Sequence, residues 1–307
     1  MIRLLALLLI LPAHAGRIIE VKPDRQGPLQ SAIDSIPKGR KSTYTIRLAA
    51  GTYREKIAIP AGMPPIALEG SGATTTVISW ADSARTTDAS GQELGTFRSA
   101  TMTVEADDLS ATGLTIENAF GTGSQAVALR VSGDRCRFRG VTLRSWQDTL
   151  LVEKKRQYFE GCTILGHVDF IFGGSAAWFE QCTLVSRGNG YLTAASTPGT
   201  AEFGLVFHRC VIQAEAAAKR VFLGRPWQNH PSTCFLECRL PEEIDPAGWD
   251  NWRDEEKEKT ARYGEYRSSG PGANPDARVS WATRLTDQDA AKVTIDTVLS
   301  GWNPVKR

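Results

Sequence analysis

Apolar residues along most of this chain recur in short blocks, and the blocks repeat. Phe138-Arg139-Gly140-Val141-Thr142-Leu143 is echoed by Phe159-Glu160-Gly161-Cys162-Thr163-Ile164 and Phe179-Glu180-Gln181-Cys182-Thr183-Leu184. Phe207-His208-Arg209-Cys210-Val211-Ile212 and Phe235-Leu236-Glu237-Cys238-Arg239-Leu240 continue the series. Each block carries an aromatic residue, a small apolar residue three later and an aliphatic residue two after that. The steps between Val141, Cys162, Cys182, Cys210 and Cys238 are 21, 20, 28 and 28 residues. A repeat of this length, rich in β-branched and aromatic residues, predicts the coils of a parallel β-helix. One coil cannot bury its apolar face alone, so stacking supplies the core. The expected fold class is therefore all-β, a right-handed parallel β-helix in one domain with short helices at its ends.

The flanking segments fit that scheme. Leu29, Ala32, Ile33 and Ile36 follow helical spacing and stop at Pro37 and Gly39, which predicts a short helix covering the open end of the first coil. Strands are expected at Tyr44 to Leu48, Ile57 to Ile59 and Ile66 to Glu69, with Gly51-Thr52-Tyr53-Arg54-Glu55 as a turn between the first two. Trp80 to Gly95 reads as a loop. Coils resume at Thr101 and run to about Leu240. The charge run Asp254 to Lys259 reads as a solvated loop, and Ser268-Ser269-Gly270-Pro271-Gly272 as a turn cluster. Thr286-Asp287-Gln288-Asp289 resembles a capping box with Asp for Glu, opening a helical run through Val298 that stops at Gly301.

Composition adds compartment rather than fold. Arg3, the apolar run Leu4 to Leu11 and Ala13-His14-Ala15 have the form of a secretory signal. We expect residues 1–15 to be removed and 16–307 to form the mature domain, secreted to the cell exterior or periplasm. The run is too short to span a bilayer, and no cysteine follows it to carry a lipid, so no membrane anchor is expected. The net charge of +2 argues neither for nor against nucleic acid; no nucleic-acid partner is expected, and the protein is expected to be a monomer. Of six cysteines, Cys162, Cys182, Cys210 and Cys238 share one repeat position and predict an inward ladder of small apolar side chains rather than disulfides. Cys136 and Cys234 lie outside it.

The repeat also places chemistry. Asp148 lies seven residues after Val141, and Asp169 seven after Cys162. The two carboxylates thus hold one register on adjacent coils, about 4.8 Å apart along the stack. Gln147 precedes Asp148, and Gln125 lies 22 residues before Gln147, about one coil earlier. Two glutamine amides can converge on one oxyanion. Arg225 brings a fixed positive fork, and Trp227 a flat face for a sugar ring. Taken singly, each has a plainer use: the aspartates in turns, Gln125 at the surface, Arg225 as counter-charge, Trp227 in the core. Their common register with the apolar strands favours a site. No G-x-S-x-G elbow, H-E-x-x-H motif or dinucleotide fingerprint is present, and no metal-ligand spacing appears, so no metal and no cofactor are expected.

Five strings in order carry a resemblance. Gly51-Thr52-Tyr53-Arg54-Glu55, Gln125-Ala126-Val127-Ala128-Leu129-Arg130, Gln147-Asp148-Thr149-Leu150, Asp169-Phe170-Ile171-Phe172-Gly173 and Leu223-Gly224-Arg225-Pro226-Trp227 are similar to those of the pectin methylesterases, or pectinesterases. The resemblance covers nearly the whole mature chain. It implies hydrolysis of galacturonate methyl esters in methyl-esterified homogalacturonan without a cofactor. It implies Asp169 as nucleophile, Asp148 as general acid and then base, Gln147 and Gln125 as oxyanion donors, and Arg225 as the group that orients Asp169. Trp227, Phe172, Thr96 and Val168 are the implied substrate contacts. Two departures stand out: His167, where a small or hydroxyl residue is usual, and Trp146, where tyrosine is frequent.

Two other enzyme types share such a scaffold. A polygalacturonase-type glycosidase also uses paired carboxylates, but glutamine donors suit an acyl oxyanion better than a sugar cation. A pectate lyase needs a calcium-binding carboxylate cluster, and only two aspartates align. A non-catalytic carbohydrate-binding β-helix needs neither both aspartates nor both glutamines.

Overall fold

The computed structural model describes residues 17–24 and 26–305. The export segment expected over 1–15 lies outside the described residues. The chain winds through three parallel sheets, here called A, B and C, of eleven, seven and seven strands among the described residues. Seven successive coils among the described residues visit A, then B, then C, as in Arg156–Glu160, Thr163–Gly166 and Ile171–Gly173. The fold is the expected right-handed parallel β-helix.

The phenylalanine repeat becomes a stack. Phe138, Phe159, Phe179, Phe207 and Phe235 pair in register across sheet A. Their ring centroids are 4.8, 4.7, 4.5 and 4.6 Å apart, near parallel, which is the strand spacing itself. All five are fully buried. The cysteines form the second ladder, at the corner where sheet A turns into B. All six are free thiols. Each ladder thiol donates to a phenylalanine carbonyl one coil below, Cys162 to Phe138 at 3.3 Å and Cys210 to Phe179 at 3.4 Å, for example. Parallel stacking leaves these carbonyls within thiol reach, so the ladder is satisfied without disulfides.

Helix α1 (Pro28–Asp34) closes the first coil with Leu29, Ala32 and Ile33 buried. Here the turn expected at Gly51-Thr52-Tyr53-Arg54-Glu55 is corrected. Gly51–Tyr53 is a strand, paired with the unexpected strand Thr76–Trp80. Tyr53 is buried and donates its hydroxyl to Val21 and Ala49 carbonyls. Glu55 accepts from the Leu29 and Gln30 amides at 3.0 and 2.9 Å, satisfying donors at the start of α1 from outside the helix. A local reading misses this because the partner strand, Val21 and the α1 amides all lie more than twenty residues away. Trp80 to Gly95 is largely loop, followed by the short α2 (Gly95–Arg98).

Three expectations fail toward the C-terminus. The coils do not end near Leu240: Arg262–Tyr266 and Thr283–Arg284 extend sheet A, and Trp249 stacks on Tyr263 at 4.2 Å to close that end. The charge run is no mere solvated loop. It holds α3 (Glu255–Glu258), capped by the Asp254 carboxylate, and Lys257 turns inward. The run from Thr286 is two helices, α4 (Asp287–Ala290) and α5 (Ile295–Val298). The capping box at Thr286 forms as expected, but Thr294 starts a second one. A threonine hydroxyl competing for backbone amides favours such a restart over helix continuation. Val298 and Leu299 then pack on Tyr158, Trp178, Val206 and Leu236 across the outer face of sheet A. No helix among the described residues is long and apolar enough to cross a membrane.

Candidate active site

Sheet C supplies the floor of the site. Arg130, Leu151, Phe172, Ala194 and Arg225 form one row across five strands. Asp148 and Asp169 sit just before this sheet, at the corner where B turns into C. Both have left-handed backbones, φ 64° and 52°, which aspartate tolerates better than most residues. They are turn residues in conformation, yet they are 8% and 5% exposed. Leu150 pairs with Ile171, so the aspartates occupy equivalent places one coil apart, and the Asp148 amide donates to the Val168 carbonyl at 3.1 Å. Gln125 and Gln147 form a parallel bridge on the preceding coils. Neither amide nitrogen is committed to a protein acceptor among the described residues.

Arg225 comes from two coils further on. The small Ala194 lies between it and Phe172 in the row, leaving the long side chain room to reach back. Its Nε and Nη2 donate to the two Asp169 oxygens at 2.8 and 2.7 Å, a bidentate fork. The guanidinium is itself sandwiched, 3.9 Å from the Tyr191 ring centroid and 3.6 Å from that of Trp252.

The two carboxyls are therefore treated unequally. Burial pushes Asp148 well above the usual carboxylate range; the Asp169 charge adds to this and Arg225 opposes it. Burial also raises Asp169, but the hydrogen bonds and charge of Arg225 pull it back. Such a pair titrates jointly, with the first proton held mainly on Asp148. One ionised and one protonated carboxyl, with two amides close by, can run nucleophilic and acid–base chemistry on an acyl group.

A cavity of about 190 Å³ unites these groups. Gln125, Gln147, Asp148, Asp169 and Arg225 line it, with Thr96, Phe172 and Trp227. Val168 is not among them: its carbonyl serves Asp148, and its side chain abuts Gly190. The left-handed backbone at Asp169 turns that side chain into the cavity, while Val168 before it stays packed at the corner against Gly190.

A sequence model of the pectinesterases matches residues 22–302. The chain belongs to the pectinesterase family. It is 36% identical over 283 residues to pectinesterase 31 of Arabidopsis thaliana, covering 89% of each chain. Among solved structures it resembles a pectin methylesterase in complex with a hexasaccharide, with a TM-score of 0.83, 32% identity, and 96% and 99% coverage. It also resembles the pectin methylesterase from carrot, with a TM-score of 0.85, 30% identity, and 94% and 95% coverage.

In this pectinesterase the structure adds Phe97, Ala194 and Trp252 to the cavity wall. Phe97 meets Trp227 edge-on at 6.3 Å, and Trp227 meets Phe172 at 5.6 Å. Phe97 was within reach of sequence reasoning, being next to Thr96. Trp252 was signalled only by standing just ahead of the charge run. The two departures, Trp146 and His167, meet edge-on at 5.5 Å outside the cavity.

Proposed function

We propose that this pectinesterase hydrolyses methyl esters of galacturonate units in methyl-esterified homogalacturonan through a covalent intermediate on Asp169. The carrying observation is the bidentate hold of Arg225 on Asp169, with no such partner for Asp148 among the described residues. Asp169 attacks the ester carbonyl carbon, and the carbonyl oxygen takes the negative charge. The Gln125 and Gln147 amides donate to that oxygen. The tetrahedral adduct collapses, the C–O bond to the methoxy group breaks, and Asp148 delivers its proton to release methanol. An Asp169 anhydride remains. Asp148, now ionised, takes a proton from water, which attacks the sugar acyl carbon. The anhydride opens to free Asp169 and a galacturonic acid, which ionises to galacturonate in solvent, and the proton taken from water is back on Asp148. Aromatic faces at Phe97, Phe172, Trp227 and Trp252 suit the apolar faces of a sugar chain. Such a substrate lies outside the cytoplasm, in keeping with the export segment read over residues 1–15 and a mature domain of 16–307.

The test is methanol release from methylated pectin by the purified mature protein and by Asp169→Asn. The variant keeps the shape of the side chain and is expected to lose about a thousandfold or more in turnover. A folded variant retaining more than about a tenth of the rate would remove Asp169 from the nucleophile role. Chain scission or unsaturated sugars in place of methanol would point to glycosidase or lyase chemistry instead.

A further inference from the structure

The segment from Trp249 to Thr260 folds over Arg225, and its construction is unusual. Trp252 and Arg253 both have left-handed backbones, φ 60° and 58°, a conformation bulky residues rarely adopt. Side chains at its start hold the bend. Asp250 accepts from the Trp252 amide at 2.7 Å, and Asn251 from the Arg253 amide at 2.9 Å. Asn251 also donates to Glu258 at 2.7 Å, tying the bend to α3. The bend aims the Trp252 ring at the guanidinium of Arg225.

Lys257 on α3 is what fastens this segment to the catalytic strand. Its neighbours Glu255, Glu256 and Lys259 are exposed, whereas Lys257 is half-buried. Its ammonium donates to the carbonyls of Pro226 and Trp227 at 3.1 and 3.3 Å. Those carbonyls end the strand that carries Arg225. The ammonium also lies 5.6 Å from the Trp252 ring centroid, and it makes no ion pair among the described residues. A cation held only by carbonyls and a ring has been recruited for position rather than for charge balance.

We propose that Lys257 is a positioning residue: by pinning the 249–260 segment to the Pro226 and Trp227 carbonyls, it holds Trp252 over Arg225 and keeps that guanidinium paired with Asp169. The proposal rests on the reading of Asp169 as nucleophile. Lys257 does not line the cavity, so its effect on the reaction passes through Trp252 and Arg225. Without the pin, Trp252 leaves the guanidinium face, water reaches Arg225, and the fork on Asp169 loosens. A looser fork lets the Asp169 proton affinity rise. The titratable groups facing the Arg225–Asp169 pair are Asp148, His167, Tyr191, Asp250 and Tyr263, besides Lys257 itself.

The experiment compares kcat/KM against pH for wild type, Lys257→Met and Lys257→Arg, on nearly neutral, highly methylated pectin. Lys257→Met keeps the stem and is expected to move the acidic limb up by about half a pH unit, with kcat/KM on that limb falling about threefold. KM is expected to change less than about twofold, and Lys257→Arg to restore the wild-type limb. A limb that does not move overturns the proposal, and so does a loss equal at all pH values. If Lys257→Met does not fold, Trp252→Phe replaces it: a smaller ring shifts the limb the same way by less, and no shift there overturns the stacking. Asp169→Asn run in parallel separates the two readings. Turnover retained in that variant removes the nucleophile assignment. Turnover lost there, with an unmoved limb in Lys257→Met, removes only the role of Lys257.

Discussion

Replacing Arg225 by alanine removes the charge that forks onto Asp169, and the consequence can be worked through in sign and size. With Arg225 present, the ionised form of Asp169 receives two hydrogen bonds at 2.8 and 2.7 Å. Burial acts the other way and favours the protonated form. Without Arg225, burial acts unopposed and the Asp148–Asp169 pair binds its second proton more tightly. The acidic limb of kcat/KM must then move to higher pH. Two unit charges about 4 Å apart attract by about 4 kcal/mol at an effective dielectric of about 20. One pKa unit is about 1.4 kcal/mol, so about three units is the ceiling. Water entering the vacated space solvates the carboxylate in part, and a shift of about one to two units is expected. Turnover is expected to fall about a hundredfold as well, since the proposed nucleophile Asp169 loses its fixed orientation. Arg225→Lys keeps a charge but loses the fork and the Tyr191–Trp252 sandwich, and should fall between the two. The assay is initial methanol release across pH on a highly methylated substrate, where substrate charge stays constant. An acidic limb that stays put or moves down in Arg225→Ala would refute the reasoning and leave Arg225 with substrate binding.

Two further outcomes test other parts of the structure. EDTA is expected to leave methanol release from soluble pectin unchanged, since no metal-binding group of His, Cys, Asp and Glu occurs among the described residues; activity lost in EDTA and restored by calcium or zinc would contradict this. Phe207→Ala interrupts the buried ring stack between Phe179 and Phe235, and is expected to cost about 3–5 kcal/mol of stability in denaturant unfolding; a loss under about 1 kcal/mol would mean the coils repack around the gap.

The repeat alone determined the scaffold and the heart of the site. Parallel coils convert a step of 20, 21 or 28 residues into a spatial neighbour at one strand spacing. The Phe138–Phe235 stack, the cysteine ladder and the adjacency of Asp148 and Asp169 were therefore legible from counting. What lacked the period needed the tertiary structure. Arg225 reaches Asp169 across 56 residues and two coils, a pairing that counting could not give and that only the family resemblance implied. Val168 shows the same limit at short range, since the left-handed turn that carries Asp169 into the cavity leaves its neighbour against Gly190. Trp252 and Lys257 belong to an irregular segment where the period is interrupted, and their charge run read as solvent-facing. Only the fold brings that segment back over the strand that carries Arg225, where the carbonyls at its end give a lysine something to hold.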